Sequence, residues 1–117
     1  MATDRNEAWR EELRKAKSPK ERTAQPRVQM NSLDPKYRAR CREEVNQGLT
    51  AEQAVAEASR CMDCPNPTCM TGCPVSINIP GFIKNIERGE FIQAADVLNE
   101  TSALPAVCGR VCPQEKQ

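Results

Sequence analysis

The sequence contains no histidine and few aromatic side chains, and both shortages exclude classes of protein. Without histidine the chain cannot form a Cys2His2 zinc finger, a Rieske centre or a haem with a proximal histidine, and it has no Ser–His or Cys–His nucleophile. The four aromatic residues are Trp9, Tyr37, Phe82 and Phe91. Because 28% of the 117 residues are charged and only 38% are hydrophobic, apolar burial supplies at most one small core.

Long hydrophobic runs are also absent. No apolar stretch reaches the roughly 18 residues of a membrane span, and the charged N-terminus lacks the apolar segment of a signal peptide. We therefore expect a cytoplasmic protein with no membrane association. Residues 1–48 hold 12 Lys and Arg against 8 Asp and Glu, and residues 49–117 hold 5 against 8. This weak, interleaved imbalance does not indicate a nucleic-acid partner.

Seven cysteines are the most distinctive feature of the composition. In the reducing cytoplasm, closely spaced cysteines indicate metal ligands or redox groups in preference to structural disulfides. The sequence has no G-x-G-x-x-G motif, so a nicotinamide or flavin site would lie in other domains. The chain is therefore not expected to be catalytic by itself.

Local patterns predict short helices and no strand of useful length, which makes the expected fold all-α. Residues 5–17 are compatible with a helix, and residues 18–34 are expected to form an extended leader because they contain prolines and no periodicity. Four further helices are predicted: from Pro35, capped by Asp34, to near Gly48; from the capping box of Thr50 and Gln53 to Arg60; from Pro80 to Gly89; and from Glu90 through Leu98. We divide the chain into an N-terminal arm, 1–33, and a helical domain, 34–117.

Four cysteines form the strongest motif, C-x2-C-x4-C-x3-C-P, at Cys61, Cys64, Cys69 and Cys73. A related ferredoxin spacing directs its first three thiolates to one 4Fe–4S cluster and the cysteine before proline to a second cluster. A second Cys-Pro pair occurs at Cys112. A structural zinc site is the alternative, because the same thiolates suit tetrahedral zinc.

Two 4Fe–4S clusters need eight ligands, one more than the seven cysteines. Since the chain ends soon after Cys112, we expect it to be a C-terminally truncated piece of a longer polypeptide. Arg60 and Arg110 each adjoin a candidate ligand, where positive charge would stabilise a reduced cluster. They are equally compatible with ordinary surface arginines.

From about Pro26 onward the chain resembles the N-terminal helical ferredoxin domain of the glutamate synthase small (β) subunit family, which is related to the N-terminal domain of dihydropyrimidine dehydrogenase. The resemblance rests on order and spacing in these segments: Asp34-Pro35, Glu43-Glu44-Val45, Glu57-Ala58-Ser59-Arg60-Cys61, the Cys-Pro loop, Asn78-Ile79-Pro80, and Cys108-Gly109-Arg110-Val111-Cys112-Pro113.

The resemblance implies an α-helical ferredoxin domain with two 4Fe–4S clusters in the full-length parent. Cys61, Cys64 and Cys69 would hold one cluster, and Cys73 and Cys112 would belong to the other. The fragment alone then supplies three and two of four ligands, so we expect it to be prone to a cluster-free state. Cys108 and Cys41 are not expected to be ligands.

The same resemblance implies an electron relay in an NAD(P)H-dependent oxidoreductase. FAD and NAD(P)H would be bound by downstream domains of the same polypeptide only, and electrons would pass to a large catalytic subunit such as a glutamate synthase α subunit. A zinc-stabilised protein-interaction module is the alternative function.

Overall fold

The computed structural model describes residues 4–116, and this part of the chain is mainly helical, which confirms the predicted fold class. Its helices, in chain order, are α1 Ala8–Ala16, α2 Pro19–Ala24, α3 Pro35–Arg38, α4 Ala51–Ala58, α5 Thr68–Thr71, α6 Ile79–Glu87, α7 Phe91–Asn99 and α8 Pro105–Val111, followed by a 3-10 turn at Gln114–Lys116. Two short strands, β1 Asn31–Ser32 and β2 Asn46–Gly48, pair in antiparallel fashion.

Several helix starts are where the sequence predicts them. The carboxylate of Asp34 accepts hydrogen bonds from the backbone N–H groups of Lys36 and Tyr37 at the start of α3. Thr50 and Gln53 form a complete capping box at the start of α4. Such caps satisfy backbone donors that a helix leaves unpaired in its first turn, so they fix where a helix begins.

Two predictions about the first half of the chain were wrong. The expected leader 18–34 contains α2, because Ser18 and Glu21 form a capping box and Pro19 occupies the first turn. The helix expected from Pro35 to near Gly48 ends at Arg38. The residues that follow are mostly exposed and bury no apolar face, so tertiary packing does not extend the helix, and β2 pairs with β1 instead.

Helix α6 is the central element: it packs against both α7 and α4. Asn78 caps α6 by accepting from the N–H of Gly81, and a Cβ at Gly81 would lie 2.7 Å from the Asn78 side chain. Glycine is therefore required for this cap to form. The predicted boundary between α6 and α7 is confirmed, with Gly89 in a left-handed conformation at φ +83°.

The buried interior of the described chain is more polar than apolar. Its buried hydrophobic residues are Ala58, Ile77, Ala94 and Val97, whereas its buried polar and charged residues are Arg10, Arg22, Ser59, Asp63, Lys84, Asn85 and Ser102. Buried charges are costly unless they are paired, so the buried polar and charged residues depend on hydrogen bonds and ion pairs. Between residues 4 and 116, no helix is long and apolar enough to cross a membrane.

Candidate metal centre

The four cysteines of the predicted loop are free thiols, and all four are half-buried. Cys61 follows the end of α4, where its N–H donates to the carbonyl of Ala58, and Cys69 lies within α5. The N–H of Cys73 donates to the carbonyl of Met70 in the turn that follows α5. The loop therefore turns as tightly as its prolines and glycine predict.

The thiols of this loop are close enough to affect one another electrostatically. Burial raises the pKa of Cys69, and the neighbouring charges of Cys64 and Cys73 raise it further. Burial also raises the pKa of Cys61, where Asp63 and Cys69 add to the effect, while the Asp63 N–H and the charge of Lys84 oppose it. Cys69 thus interacts with each of the other three, and binding of a cation or cluster would displace their protons.

Between Cys61 and Cys64 lies a residue that the sequence analysis missed, Asp63. It is fully buried, and its backbone has a left-handed conformation with φ +52°. Arg10 binds its carboxylate with two hydrogen bonds, from Nε at 3.0 Å and from Nη2 at 2.6 Å, and Arg14 Nη1 adds a third at 2.6 Å.

These arginines decide the ionisation of Asp63. Burial alone would raise the pKa of its carboxyl group, but hydrogen bonds and charges from Arg10 and Arg14 outweigh burial, and the pKa is lowered. The spacing of Arg10 and Arg14 on one face of α1 is visible in the sequence. Nothing in the sequence identifies a carboxylate 49 and 53 residues away as their partner.

Cationic side chains also bind three alternate carbonyl groups that lead into the cysteine loop. Arg22 Nη1 donates to the carbonyl of Ser59 at 2.5 Å, and Lys84 Nζ donates to that of Cys61 at 2.7 Å. Arg5 Nε donates to the carbonyl of Asp63 at 3.0 Å. The backbone on both sides of the first cysteine is therefore fixed by side chains distant in sequence.

Arg22 and Lys84 also bind the same carboxylate, that of Glu87. Glu87 accepts from Arg22 at 2.8 Å and from Lys84 at 2.5 Å. The side chains of Arg22 and Lys84 are 2% and 0% exposed, and that of Glu87 is 8% exposed. This buried triad connects α2 and α6 directly beside Cys61.

The remaining cysteines lie elsewhere. Cys112 is exposed at the end of α8 and lines a cavity of about 690 Å³, together with Met30, Glu44 and Arg110. Cys64 lines a different cavity, of about 250 Å³. Cys108 lies 3.6 Å from the Ser102 hydroxyl. Within the residues that the structure describes, no three cysteine or acidic side chains converge closely enough to hold a single metal ion.

The donor chemistry of the loop fits a 4Fe–4S cluster. Such clusters are held by cysteine thiolates, and four half-buried thiols that form no disulfide stand within one short loop. Soft thiolate ligands favour iron–sulfur clusters and zinc over hard cations such as magnesium. The fold and the loop thus define a small helical domain whose cysteine-rich loop has the donor set of an iron–sulfur site.

Comparison with known proteins identifies which such domain this is. The family described as dihydropyrimidine dehydrogenase domain II, 4Fe–4S cluster, matches residues 38–117. The chain belongs to this family of 4Fe–4S cluster domains, which confirms the resemblance found in the sequence and favours an iron–sulfur cluster over zinc.

Named relatives agree with this assignment. The chain is 42% identical over 73 residues to the glutamate synthase [NADPH] small chain of Escherichia coli strain K12, covering 62% of this chain and 16% of that protein. It is 42% identical over 74 residues to the NAD-dependent dihydropyrimidine dehydrogenase subunit PreT of Salmonella typhimurium, covering 63% and 18%. It is 40% identical over 74 residues to the putative oxidoreductase UacF of E. coli K12, covering 62% and 12%. The chain thus spans less than a fifth of the length of each of these relatives.

Proposed function

We propose that this chain is the electron-transfer domain of an NAD(P)H- and flavin-dependent oxidoreductase. Family membership makes it a 4Fe–4S domain, and 4Fe–4S clusters transfer single electrons. The observation that supports the role most directly is the presence of four free, half-buried thiols in one short loop inside the segment that matches the family.

The proposed ligands fall into two sets. Cys61, Cys64 and Cys69 bind one cluster, and Cys73 and Cys112 contribute to a second. The first set is supported by the interaction of Cys69 with both Cys61 and Cys64. The second set rests on the Cys-Pro spacing and the family resemblance. Within this division, residues 34–117 form the cluster-binding domain and residues 1–33 precede it.

Cofactors and partners of the whole enzyme are proposed from the relatives. Their names include a glutamate synthase [NADPH] small chain and a subunit of an NAD-dependent dihydropyrimidine dehydrogenase. By analogy, a flavin on accompanying domains exchanges hydride with NADPH or NADH, and the clusters relay its electrons to a large catalytic subunit such as a glutamate synthase α subunit. In this scheme the chain contributes no catalytic residue: it binds the clusters, positions them and limits their contact with water.

Metal analysis of the reconstituted chain tests the proposal. The chain is incubated anaerobically with iron, sulfide and excess small-molecule thiol, which can occupy the ligand positions that the chain does not supply. It is then desalted and analysed for iron, acid-labile sulfide and zinc together with its visible absorption. We expect iron and sulfide in equal amounts, with a broad visible absorption that bleaches on reduction. Tight binding of zinc with no uptake of iron would contradict the proposal and support an interaction module.

Single serine variants test the ligand assignment. Cys61→Ser and Cys69→Ser are expected to lose most of the iron, because each removes a thiolate from the first cluster. Cys41→Ser is the matched control, since Cys41 is half-buried like the loop cysteines but lies outside the motif. Full retention of iron by Cys61→Ser and Cys69→Ser would show that these residues are not ligands.

A further inference from the structure

Five cationic side chains surround the segment of residues 59–63. We call them the cationic cradle: Arg5, Arg10, Arg14, Arg22 and Lys84. Three of them bind the alternate carbonyl groups described above, and the other two bind the carboxylate of Asp63. The cradle therefore contacts both the backbone and the one acidic side chain of the segment that carries the first predicted ligand.

Two buried carboxylates pair with the cradle among the described residues. Against five cations, the acidic partners shown by hydrogen bonds are Asp63 and Glu87. Arg10, Arg22 and Lys84 are at most 3% exposed, so solvent screens these charges poorly. Their positive charges therefore act on whatever the neighbouring thiols bind.

Four of the five cradle residues lie in residues 5–22, outside the segment 38–117 that matches the family. The helices that carry three of them each reach this segment through a buried arginine, and the half-buried Trp9 of α1 also stacks against Arg88, whose guanidinium carbon lies 3.8 Å from the ring centre. The only buried residue of α1 is Arg10, and the only buried residue of α2 is Arg22. Each helix is thus attached to the rest of the protein through an arginine that reaches the 59–63 segment.

We infer that residues 5–22 are a positioning element of the electron-transfer site: through the cationic cradle they fix the backbone around Cys61 and raise the reduction potential of the cluster bound there. This inference rests on the proposed function, because it takes Cys61 and Cys64 as ligands. None of the cradle side chains is a catalytic residue, since each acts on the ligand segment.

Two physical effects follow from this arrangement. Groups that hydrogen-bond to the ligand residues and orient them reduce the rate of metal loss, and their removal costs about 10–100-fold in metal affinity. Reduction adds negative charge to the cluster, so nearby positive charge favours the reduced state, and nearby negative charge disfavours it. Loss of positioning has the same sign in every cradle variant, whereas the shift in potential depends on the sign of the charge removed, which allows the two effects to be separated.

The experiment uses two substitutions within the cradle. Asp63→Asn removes the negative charge but keeps the side-chain shape, and asparagine tolerates the left-handed backbone at this position. Arg14→Gln removes one positive charge from a side chain that is 20% exposed, so it disturbs the packing less than a change at the buried Arg10. Glu11→Gln and Lys15→Gln are matched controls, because they make the same charge changes in the exposed ion pair of α1.

Iron release and reduction potential are measured on each reconstituted 117-residue variant. Both cradle variants are expected to release iron to a chelator about 10–100-fold faster than the controls. Their potentials are expected to shift in opposite directions, upward for Asp63→Asn and downward for Arg14→Gln, and Arg14→Lys should restore the potential. A purely structural role would not produce opposite shifts or rescue by lysine.

A third measurement needs no cluster. In the apoprotein, alkylation of Cys61 is expected to be at least about tenfold faster in Arg14→Gln than in Lys15→Gln, because breaking the ion pair with the buried Asp63 promotes local opening. Loss of a positive charge does not by itself make the thiol more reactive, so faster alkylation reports opening. Circular dichroism checks that each variant remains helical. Where a variant fails to reconstitute, the alkylation rate of its apoprotein still shows whether the cradle holds the backbone around Cys61.

The outcomes distinguish this inference from the function on which it rests. If Cys61→Ser loses iron while both cradle variants behave like Glu11→Gln and Lys15→Gln, the cradle inference fails and the proposed ligand survives. If Cys61→Ser keeps its iron, the ligand assignment itself fails. If alkylation and iron release rise but the two potentials shift in the same direction, the positioning role stands and the electrostatic role is overturned.

Discussion

The two regions that carry the predicted ligands differ sharply in how the chain supports them. Around Cys61 the backbone carbonyls and Asp63 are held by buried cations, and α4, α6 and the N-terminal helices meet there. Around Cys112, helix α8 buries no residue, and Val107 and Val111 are 52% and 73% exposed. The ion pair between Arg110 of α8 and Glu44 lies on the surface, where such pairs contribute little to the free energy of unfolding.

This difference indicates how stability is distributed along the chain. Segments with few buried contacts open locally at low free-energy cost, whereas segments inside a paired polar core open only with larger parts of the structure. We therefore expect the first cysteine loop to keep its backbone conformation without a cluster, and α8 to exchange its amide hydrogens faster than α6.

The largest effect is expected from Lys84→Met. Lys84 is fully buried, and its ammonium group binds both Glu87 and the Cys61 carbonyl. Methionine fills similar space but leaves both acceptors without this donor. Since Arg22 still pairs with Glu87, we expect a loss of about 3 kcal/mol in the free energy of unfolding, at the lower end for a broken buried pair.

Urea unfolding monitored by circular dichroism measures this loss, and Lys15→Met is the control. Lys15 forms an exposed pair with Glu11 on α1, so its substitution is expected to change stability by less than about 0.5 kcal/mol. Equal stabilities of the two variants would show that the buried triad beside Cys61 does not stabilise the fold.

The contrast between these two lysines also shows what sequence reasoning can reach. Capping motifs at Asp34 and Thr50 and the boundary at Gly89 were predicted, because each depends on residues three or four apart. By contrast, a local pattern of residues three or four apart shows Lys84 only as one cationic residue in a predicted helix. Its complete burial depends on Glu87 and on a carbonyl 23 residues away, which no local pattern encodes.

At the candidate site, adjacency in sequence likewise does not identify the cations that contact the first cysteine segment. Arg60 and Arg110 adjoin predicted ligands, yet they pair with Glu57 and Glu44. The cations that reach the first cysteine segment come mostly from a part of the chain without an expected role. The motif therefore predicts the candidate ligands, whereas tertiary packing determines which residues support the segment that carries them.

A matched pair of valines measures the difference in packing directly. Val97 in α7 is 2% exposed, and Val111 in α8 is 73% exposed. Because Val97→Ala removes buried methyl groups and leaves a cavity, we expect a loss of about 2 kcal/mol. Val111→Ala is expected to change the free energy of unfolding by less than about 0.5 kcal/mol, as for other surface substitutions.

Thermal or urea unfolding of the two variants under the same conditions provides the measurement. The substitution is identical, so the difference between the two variants reports mainly how deeply each valine is buried. A destabilisation by Val111→Ala as large as that by Val97→Ala would mean that α8 packs against the rest of the fold in solution, and the proposed contrast between the two regions would be wrong.

The smallest effect is expected from strengthening the weaker region. Helix α8 begins with Leu104 before Pro105, and Leu104 makes no side-chain cap, whereas α3 begins with the same arrangement but with Asp34 before Pro35 as an effective cap. Leu104 is 64% exposed, so Leu104→Asp sacrifices little burial. We expect the aspartate to stabilise α8 by about 0.5–1 kcal/mol, because it satisfies an unpaired N–H and interacts favourably with the helix dipole.

Hydrogen exchange of the α8 amides is the appropriate measurement, since the gain is local and affects global unfolding only weakly. A gain of this size corresponds to about two- to fivefold slower exchange, and exchange in α6 should not change. Leu104→Ala is the control, because it removes the same exposed side chain without supplying a cap. If Leu104→Asp and Leu104→Ala exchange alike, the missing cap does not limit α8, and its exposed apolar face is left as the reason for its low stability.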